Sequence, residues 1–389
     1  MPAADLARAP FPDYDKADWL QRASKELKGR DLDTLDWEIN ERIRLAPFYT
    51  RPEVVALPPL DRPAGWQVGA YIDSGSNEEV NASALHALNQ GAEALLFRLF
   101  RRPSAEEVGE LLQDIRLDFI SLHCALRYPG QDPAELFRDL VKYLRREGYD
   151  LATIHGSVDF DPLLDWSEPP FPPLIRLLGF VHQWMPQFRV LQVNAAGFNN
   201  GPSLADAELA LALAKGAEYL QQMRERGAEP PVVNQHLQFA FTVGSSYYVD
   251  IAKLRAFRIL WANVLKGFGI EDAPPVLIAA HSDVATLSAD RDQNLLYLTT
   301  QALSAVTGGA DQLFLAPADG GDTPPTPLGH RLAINIQHLL KLEAGLNQYA
   351  DPAAGSYYLD TLTAQLVDAA WDRFRTIEAQ GGFAEATDF

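Results

Sequence analysis

The sequence predicts an α/β fold, a (β/α)8 barrel of the TIM type with an extended N-terminal arm. The chain has 389 residues, of which 47% are hydrophobic, so it can bury a large core. Short apolar runs alternate with amphipathic segments about eight times, a pattern typical of parallel sheets covered by helices. Polar, glycine-containing loops follow the runs, at the strand ends where barrels build their sites. An open doubly wound sheet stays the alternative, because a strand count from one sequence can err by one or two.

The arm precedes the repeating pattern. A helix is expected over Lys16–Lys28, and the Pro-rich segment Pro47–Gly65 is expected to be extended. Such an arm buries little against itself, so it must pack on its own barrel or on another chain. We therefore divide the chain into an arm, residues 1–65, and a barrel with C-terminal helices, residues 66–389.

Eight candidate strands begin after the arm. Each is a short apolar run, bounded by turn residues and followed by a segment with helical spacing. They are WQVGAYI (66–72), ALLFRL (94–99), FISLHC (119–124), LATIHGSV (151–158), VLQVNA (190–195), LQFAFTVG (237–244), VLIAAHS (276–282) and QLFLAP (312–317).

The expected helices carry start and stop signals. Capping boxes are expected at Ser104–Glu107 and at Ser203–Asp206, and Asp132 followed by proline begins another helix. Tyr247–Lys266 and Ala289–Thr307 are longer helices that end at glycine. Two further helices follow the last strand, over Gly329–Glu343 and up to about Ala379.

Composition excludes several classes of function. The formal net charge of −19 argues against nucleic acid or an anionic membrane as partner, since both bind basic patches. The one cysteine, Cys124, ends an apolar run, so a buried inert thiol is favoured over a nucleophile. The first residues lack the pattern of a signal peptide, and no apolar run is long enough to span a membrane. We expect a cytoplasmic protein.

Polar side chains collect after the predicted strands, where they would face one barrel mouth. The sharpest catalytic interpretation is a metal-assisted or acid–base site in which His155, Asp159, Asp161, His281 and Asp283 converge. Solvated turn carboxylates and a hydrogen-bonded core histidine are the competing interpretation. The candidate pocket at the barrel mouth comprises His155, Asp159, Asn194, Asn199, Ser245, His281 and Asp283.

Several stretches together resemble the methylmalonyl-CoA mutase family. The turn DPAAGSYYLD (Asp351–Asp360) is close to the family's D-P-x-G-G-S-Y-Y-x-E and is the most specific match. The resemblance runs from about Trp19 to Phe383 and implies a barrel fold. Its other parts are LRAFRILWANVLKGFG (Leu254–Gly269), the segment His281–Leu313, AGFNNGPSLADAELALALAKGAEYL (Ala196–Leu220), and KELKG (Lys25–Gly29) and APFYT (Ala46–Thr50) in the arm.

The chain departs from the catalytic members of the family at three places. Where they carry Gly-Tyr-His, whose histidine contacts the substrate thioester carbonyl, this chain has Gly197-Phe198-Asn199. Asn199 can donate a hydrogen bond but cannot act as a general acid. The Arg-Gly-Pro-Tyr stretch is replaced by Pro58–Gly65, and Asp283 stands at the glutamine of the family's H-x-Q-T.

The family's cobalamin signature, Asp-x-His-x-x-Gly, lies in a separate C-terminal domain. None of the eight histidines here has Asp two residues before it and Gly three after it. The chain ends at Phe389, about where the linker to that domain would begin, so we expect either a fragment or a chain without the domain.

The resemblance therefore implies the barrel of a non-catalytic small subunit. It implies a heterodimer with a catalytic large subunit that binds adenosylcobalamin and interconverts methylmalonyl-CoA and succinyl-CoA by radical rearrangement. On this interpretation the chain itself binds no cofactor and no metal and has no catalytic residue. Two alternatives stay open: a self-sufficient barrel enzyme using His155, Asp159, His281 and Asp283, with or without a metal, and a mutase-like barrel that works with a separate cobalamin-binding chain.

Overall fold

The N-terminal arm forms a helix and a two-stranded hairpin that pack on the barrel. The computed structural model describes residues 14–54, 57–73, 75–128, 132–165, 169–320 and 325–386. In the arm, α1 spans Lys16–Glu26, β1 spans Trp37–Asn40 and β2 spans Ile43–Leu45. The amide of Gln365 pairs with the backbone of Arg44 through two hydrogen bonds of 3.1 and 2.9 Å. The arm therefore packs on its own barrel, one of the two arrangements expected for it.

Nine parallel strands form the barrel wall. Their order is β7-β6-β5-β4-β3-β11-β10-β9-β8, and β7 and β8 are consecutive segments interrupted only at Val190. Nine segments thus fill eight positions, and the sheet closes because β7 pairs with β6 while β8 pairs with β9. The barrel, not the open sheet, is confirmed. The strands are β3 (Gln67–Ile72), β4 (Ala94–Leu99), β5 (Ser121–Leu126), β6 (His155–Asp159), β7 (Phe188–Arg189), β8 (Leu191–Asn194), β9 (Leu237–Val243), β10 (Leu277–Ser282) and β11 (Gln312–Phe314).

Helices surround the wall, and two of the expected caps are present. The Ser104 side chain accepts from the backbone N–H of Glu107, and that of Asp132 accepts from Ala134. Among the described residues, no helix is both long and apolar enough to cross a membrane. The helices are α2 (Asn77–Asn89), α3 (Ala105–Leu111), α4 (Pro133–Arg146), α5 (Pro162–Asp165), α6 (Phe171–Trp184), α7 (Ala205–Glu225), α8 (Pro230–Gln235), α9 (Tyr247–Gly267), α10 (Arg291–Thr307), α11 (Pro327–His338) and α12 (Tyr357–Ala379).

The capping box expected at Ser203–Asp206 is wrong. A 3₁₀ turn over Pro202–Leu204 precedes α7, which begins at Ala205 without a side-chain cap. Asp206 is fully buried and accepts from Arg373 Nε (2.6 Å) and from Asn40 Nδ2 (3.1 Å). An unpaired buried carboxylate destabilises a fold more than a missing helix cap does. Asp206 therefore pairs with the cation, and it joins α7 to α12 and the arm.

The last helix covers α7 and α9 through charged groups that are buried and paired. Arg255 on α9 donates to Asp360 on α12 (2.9 Å) and to Asp351 in the preceding turn (3.2 Å). Beside it, Lys253 donates to Glu208 on α7 (2.9 Å). The turn and helix after the barrel are thus joined to α9 by ion pairs that fix their position, and a further ion pair joins α9 to α7.

Candidate functional site

The expected site residues divide between the two ends of the barrel. Strand β6 begins at His155 and ends at Asp159, so these two side chains lie at opposite ends. The strand starts four residues later than expected, because Leu151–Thr153 form a 3₁₀ turn capped by Asp150. Asp159, Asn194, His281 and Asp283 lie at the mouth, the end where the strands finish, and His155 does not.

The barrel interior holds a network of polar side chains, called here the interior network. It crosses from β3 and β11 to β6 and β9. Gln312 Nε2 donates to Gln67 Oε1 (2.9 Å) and to His123 Nε2 (3.1 Å), and His123 Nδ1 bonds Ser157 Oγ at 2.8 Å. Its members are Gln67, Ser121, His123, Ser157, Gln238 and Gln312.

The direction of these hydrogen bonds fixes the state of His123. Because its Nε2 accepts from Gln312, its proton lies on Nδ1 and is donated to Ser157. Burial lowers the pKa of His123 to about 3, so the imidazole is neutral. The contacts of His123 are those of a structural histidine.

Asp159 ends the interior network at the mouth. It accepts from Ser157 Oγ (2.7 Å) and from Gln238 Nε2 (3.1 Å). Burial raises the pKa of Asp159 to about 6, against the hydrogen bond from Ser157 and the positive charge of Arg127, which lower it. The carboxyl group therefore titrates within the physiological range while it is held by neutral donors.

His281 is packed between two aromatic rings. Its Nδ1 lies 2.8 Å from the hydroxyl oxygen of Tyr71, and its ring stacks on Phe314 with centroids 5.3 Å apart and an interplanar angle of 13°. Burial lowers the pKa of His281 to about 4, so it is neutral. Of the two interpretations of this residue, the contacts favour the hydrogen-bonded core histidine.

The loop after β8 is closed upon itself. The side-chain oxygen of Asn199 accepts from the backbone N–H of Gly201 at 3.3 Å, an Asx turn. The Phe198 ring packs on Phe383, with centroids 6.0 Å apart, and the Lys215 ammonium lies 5.5 Å from its centroid. The residues at the family's Gly-Tyr-His position thus contact α7 and the C-terminal segment.

The carboxylate of Asp161, expected as part of a turn or a metal site, is a buried ion-pair partner. It is 5% exposed, and Lys215 Nζ lies 2.6 Å from its Oδ2. The hydroxyl of Tyr219 also donates to it, and Oδ2 accepts from the backbone N–H of Asn194 at 2.8 Å. Lys215 and Tyr219 stand four residues apart on the buried face of α7, a signal present in the sequence that was missed.

The remaining candidates are engaged elsewhere or face solvent. Asp283 Oδ1 accepts from the backbone N–H of Ala285 (3.0 Å), and Ser245 is exposed in the loop after β9. Within the part of the chain that the structure describes, no group of three or more His, Cys, Asp or Glu side chains is placed to hold a metal ion.

The opposite end of the barrel carries a cavity of about 650 Å³, called here the basal cavity. His155 lines it, with the first residues of several strands and the segment that leads into β3. Sequence reasoning missed this site, because it looked for polar groups after the strands and not before them.

Comparison with known proteins decides the family. The sequence model described as Methylmalonyl-CoA mutase matches residues 102–388. The chain belongs to the methylmalonyl-CoA mutase family. It is 31% identical to the methylmalonyl-CoA mutase small subunit of Porphyromonas gingivalis, over 97% of this chain and 65% of that protein.

Both subunits of the Streptomyces virginiae mutase are also similar to the chain. The small subunit is 27% identical over 96% of this chain and 65% of that protein, and the large subunit is 26% identical over 96% and 57%. The chain thus spans less than two thirds of the length of these relatives. These two sequence identities differ too little to tell a small subunit from a large one, so the distinction must come from individual residues.

Proposed function

We propose that this chain is the barrel of a non-catalytic small subunit, which supports a catalytic large subunit in a methylmalonyl-CoA mutase heterodimer. The observation that carries the proposal is the loop after β8. At the position of the family's substrate-contacting histidine stands Asn199, whose side-chain oxygen is bound within its own loop. The neighbouring Phe198 contacts Phe383 and Lys215.

The filled barrel interior supports the same conclusion. His123, Gln238 and Phe314 are each at most 2% exposed. They occupy the space between the barrel mouth and the basal cavity, and His123 and Gln238 both hydrogen-bond Ser157 Oγ, at 2.8 and 3.0 Å. Side chains arranged this way hold the barrel together, and a fold keeps such packing after its site has lost its chemistry.

The surroundings of His281 at the barrel mouth argue against adenosylcobalamin, which the family implies for the holoenzyme, binding through this histidine. A cobalt-binding imidazole needs open space for the corrin ring. The ring of His281 lies instead between Phe314 and Tyr71, with centroids 5.3 and 6.0 Å away. We assign the cofactor, and the interconversion of methylmalonyl-CoA and succinyl-CoA that it supports, to the partner subunit.

The alternative of a self-sufficient enzyme lacks supporting geometry, because His155 and Asp159 lie at opposite ends of β6. A mutase-like barrel served by a separate cobalamin-binding chain would need a replacement for the missing histidine, and Asn199 is already engaged. We place the heterodimer in the cytoplasm, in keeping with a single buried thiol at Cys124.

Co-purification tests the proposal most directly. The tagged chain is isolated from its native cells and the bound proteins are identified by mass spectrometry. A stoichiometric larger mutase chain that carries Gly-Tyr-His and Asp-x-His-x-x-Gly is the expected result. If the chain is recovered alone or bound only to itself, the proposal is wrong.

Turnover of the reconstituted heterodimer gives a second test. Asp159→Asn and His281→Asn in this chain should leave kcat within about twofold of the wild type, because neither residue touches substrate. The matched control removes the Gly-Tyr-His histidine of the large subunit and should abolish turnover. A loss of about a hundredfold with Asp159→Asn in an intact heterodimer would show that this barrel is catalytic.

A further inference from the structure

The basal cavity is lined by an unusual concentration of cations for so acidic a chain. Arg62, Arg189 and Lys341 all border it, although the net charge of the sequence is −19. Two of the three are neutralised in place. Arg62 Nε lies 3.3 Å from Asp311 Oδ1 and its other nitrogens donate to backbone carbonyls, while Lys341 Nζ lies 2.6 Å from Glu93 Oε2.

Arg189 is the exception. Its guanidinium makes no hydrogen bond and no ion pair with any described residue, and its Nε is buried without a partner. Burial lowers the pKa of this guanidinium, whereas the negative charge of Asp311, on the same cavity wall, raises it. Arg189 is half-buried and makes no hydrogen bond to a described residue, so its guanidinium keeps its donors available for an acceptor that is not part of the chain.

A second donor on the cavity wall is also without an acceptor. Trp66, directly before β3, is 6% exposed, and its indole Nε1–H has no hydrogen-bond partner. Arg189 lies in β7 and Trp66 precedes β3, on a different side of the barrel, so the two observations are independent. Two residues of the cavity lining thus carry an unpaired N–H donor, which suits a ligand rich in hydrogen-bond acceptors.

The cavity is blind. The interior network begins directly above it, since Gln67, Ser121 and Gln312 belong both to the network and to the cavity lining. Their hydrogen bonds to one another and to His123 close the barrel axis. A ligand must enter from the base, and only a small molecule fits in about 650 Å³.

We propose that the basal cavity binds a small oxyanion, a carboxylate or a phosphate, through the guanidinium of Arg189. A planar guanidinium presents paired N–H groups that match the oxygens of either anion. The site is separate from the barrel mouth, and its existence does not depend on whether the chain is catalytic.

Calorimetric titration of the full-length chain tests this, with inorganic phosphate and acetate as probes at constant ionic strength. Saturable binding at one site per chain is expected, and the anion with the lower Kd identifies the preferred chemistry. Arg189→Gln should weaken binding by about tenfold or more, because a charge-assisted pair is lost. Arg189→Lys, which keeps the charge but not the paired geometry, should retain part of the affinity.

The matched control is Arg127→Gln, which removes the same charge at the opposite end of the barrel and should leave binding unchanged. Thermal unfolding gives an independent readout: the anion should raise the Tm of the wild type and of Arg127→Gln, but not that of Arg189→Gln. Should Arg189→Gln fail to fold, Arg189→Lys decides. Absence of saturable binding by both anions, or equal binding by wild type and Arg189 variants, overturns the proposal.

Discussion

At the scale of single residues, Gly156 shows how closely two wall strands approach each other. Its φ is +151°, a conformation that residues with a side chain rarely adopt, and a Cβ atom there would overlap the carbonyl oxygen of Leu122. The strand β6 can therefore lie against β5 only because this position has no side chain.

Gly156→Ala should lower the free energy of unfolding by about 3 kcal/mol or more, since both strain and overpacking result. Urea unfolding followed by circular dichroism measures it. Gly197→Ala is the control, because Gly197 has open space around its Cα and no positive φ. That variant should change stability by less than about 1 kcal/mol. Equal effects of the two substitutions would contradict this account.

The buried neutral histidines predict a loss of stability in acid. Burial lowers the pKa of His123 to about 3 and those of His236 and His281 to about 4. Below the ordinary histidine pKa of about 6.5 the unfolded chain binds protons that the folded chain does not, so acid favours unfolding. The stability these groups provide is fully present above that value and falls as the pH drops toward 4.

Urea unfolding at about pH 7.5 and about pH 5 should show this decrease, with up to about 1.4 kcal/mol per pH unit from each histidine. His236→Asn should make the pH dependence shallower. Asp159 acts in the opposite sense, because its pKa is raised to about 6 and the folded state gains a proton first. Asp159→Asn should therefore steepen the loss between about pH 6 and pH 4. An unchanged slope in both variants would count against the pKa assignments.

At the scale of elements, α12 is held against α7 by an ion pair whose carboxylate is buried and needs a cation beside it. Asp206 is fully buried, and Arg373 provides its positive charge at 2.6 Å. Removing one member of such a pair strands the other in a medium that does not solvate it.

Arg373→Met should lower the free energy of unfolding by about 2 kcal/mol or more. The double variant Arg373→Met with Asp206→Leu should recover much of that stability, because no buried carboxylate is then left unpaired. Arg375→Met, on the exposed face of the same helix, should have an effect below about 0.5 kcal/mol. Thermal and urea unfolding of the four proteins test this. A double variant that is less stable than Arg373→Met would contradict it.

The positions of the strands show how much of the fold could be predicted from the sequence. Seven of the eight strand positions begin within two residues of expectation, because apolar runs and caps are local signals. The strand at 151–158 was misplaced because a 3₁₀ turn uses the same apolar residues. The site was harder to predict, because Asp161 pairs with Lys215, 54 positions away in the sequence. The spacing of Lys215 and Tyr219 places both on one face of a helix, but it does not identify their partner. Nor could a strand-end rule find the basal cavity, which is assembled from strand beginnings and the arm.

At the scale of the whole molecule, the proposed division of labour predicts where cobalamin binds. The isolated chain, mixed with adenosylcobalamin and passed through a size-exclusion column, should elute without visible absorbance. The reconstituted heterodimer should carry about one cofactor per complex, held by the partner. Comigration of the cofactor with the isolated chain would place a binding site in this barrel and refute the assignment.

The division of one wall position into β7 and β8 at Val190 has a consequence for how the protein unfolds and aggregates. Strands β6 and β7 pair over two residues only, Gly156 with Phe188 and Ser157 with Arg189, whereas β4 and β5 pair over six. Amide hydrogen exchange should therefore be fastest on this side of the wall. Once the pairing of β6 with β7 is lost, the closed barrel becomes an open sheet with two edge strands. The unpaired backbone N–H and C=O groups of each edge can then pair with a strand of another chain. On heating, aggregation should therefore begin at the edges of β6 and β7 before the helices unfold.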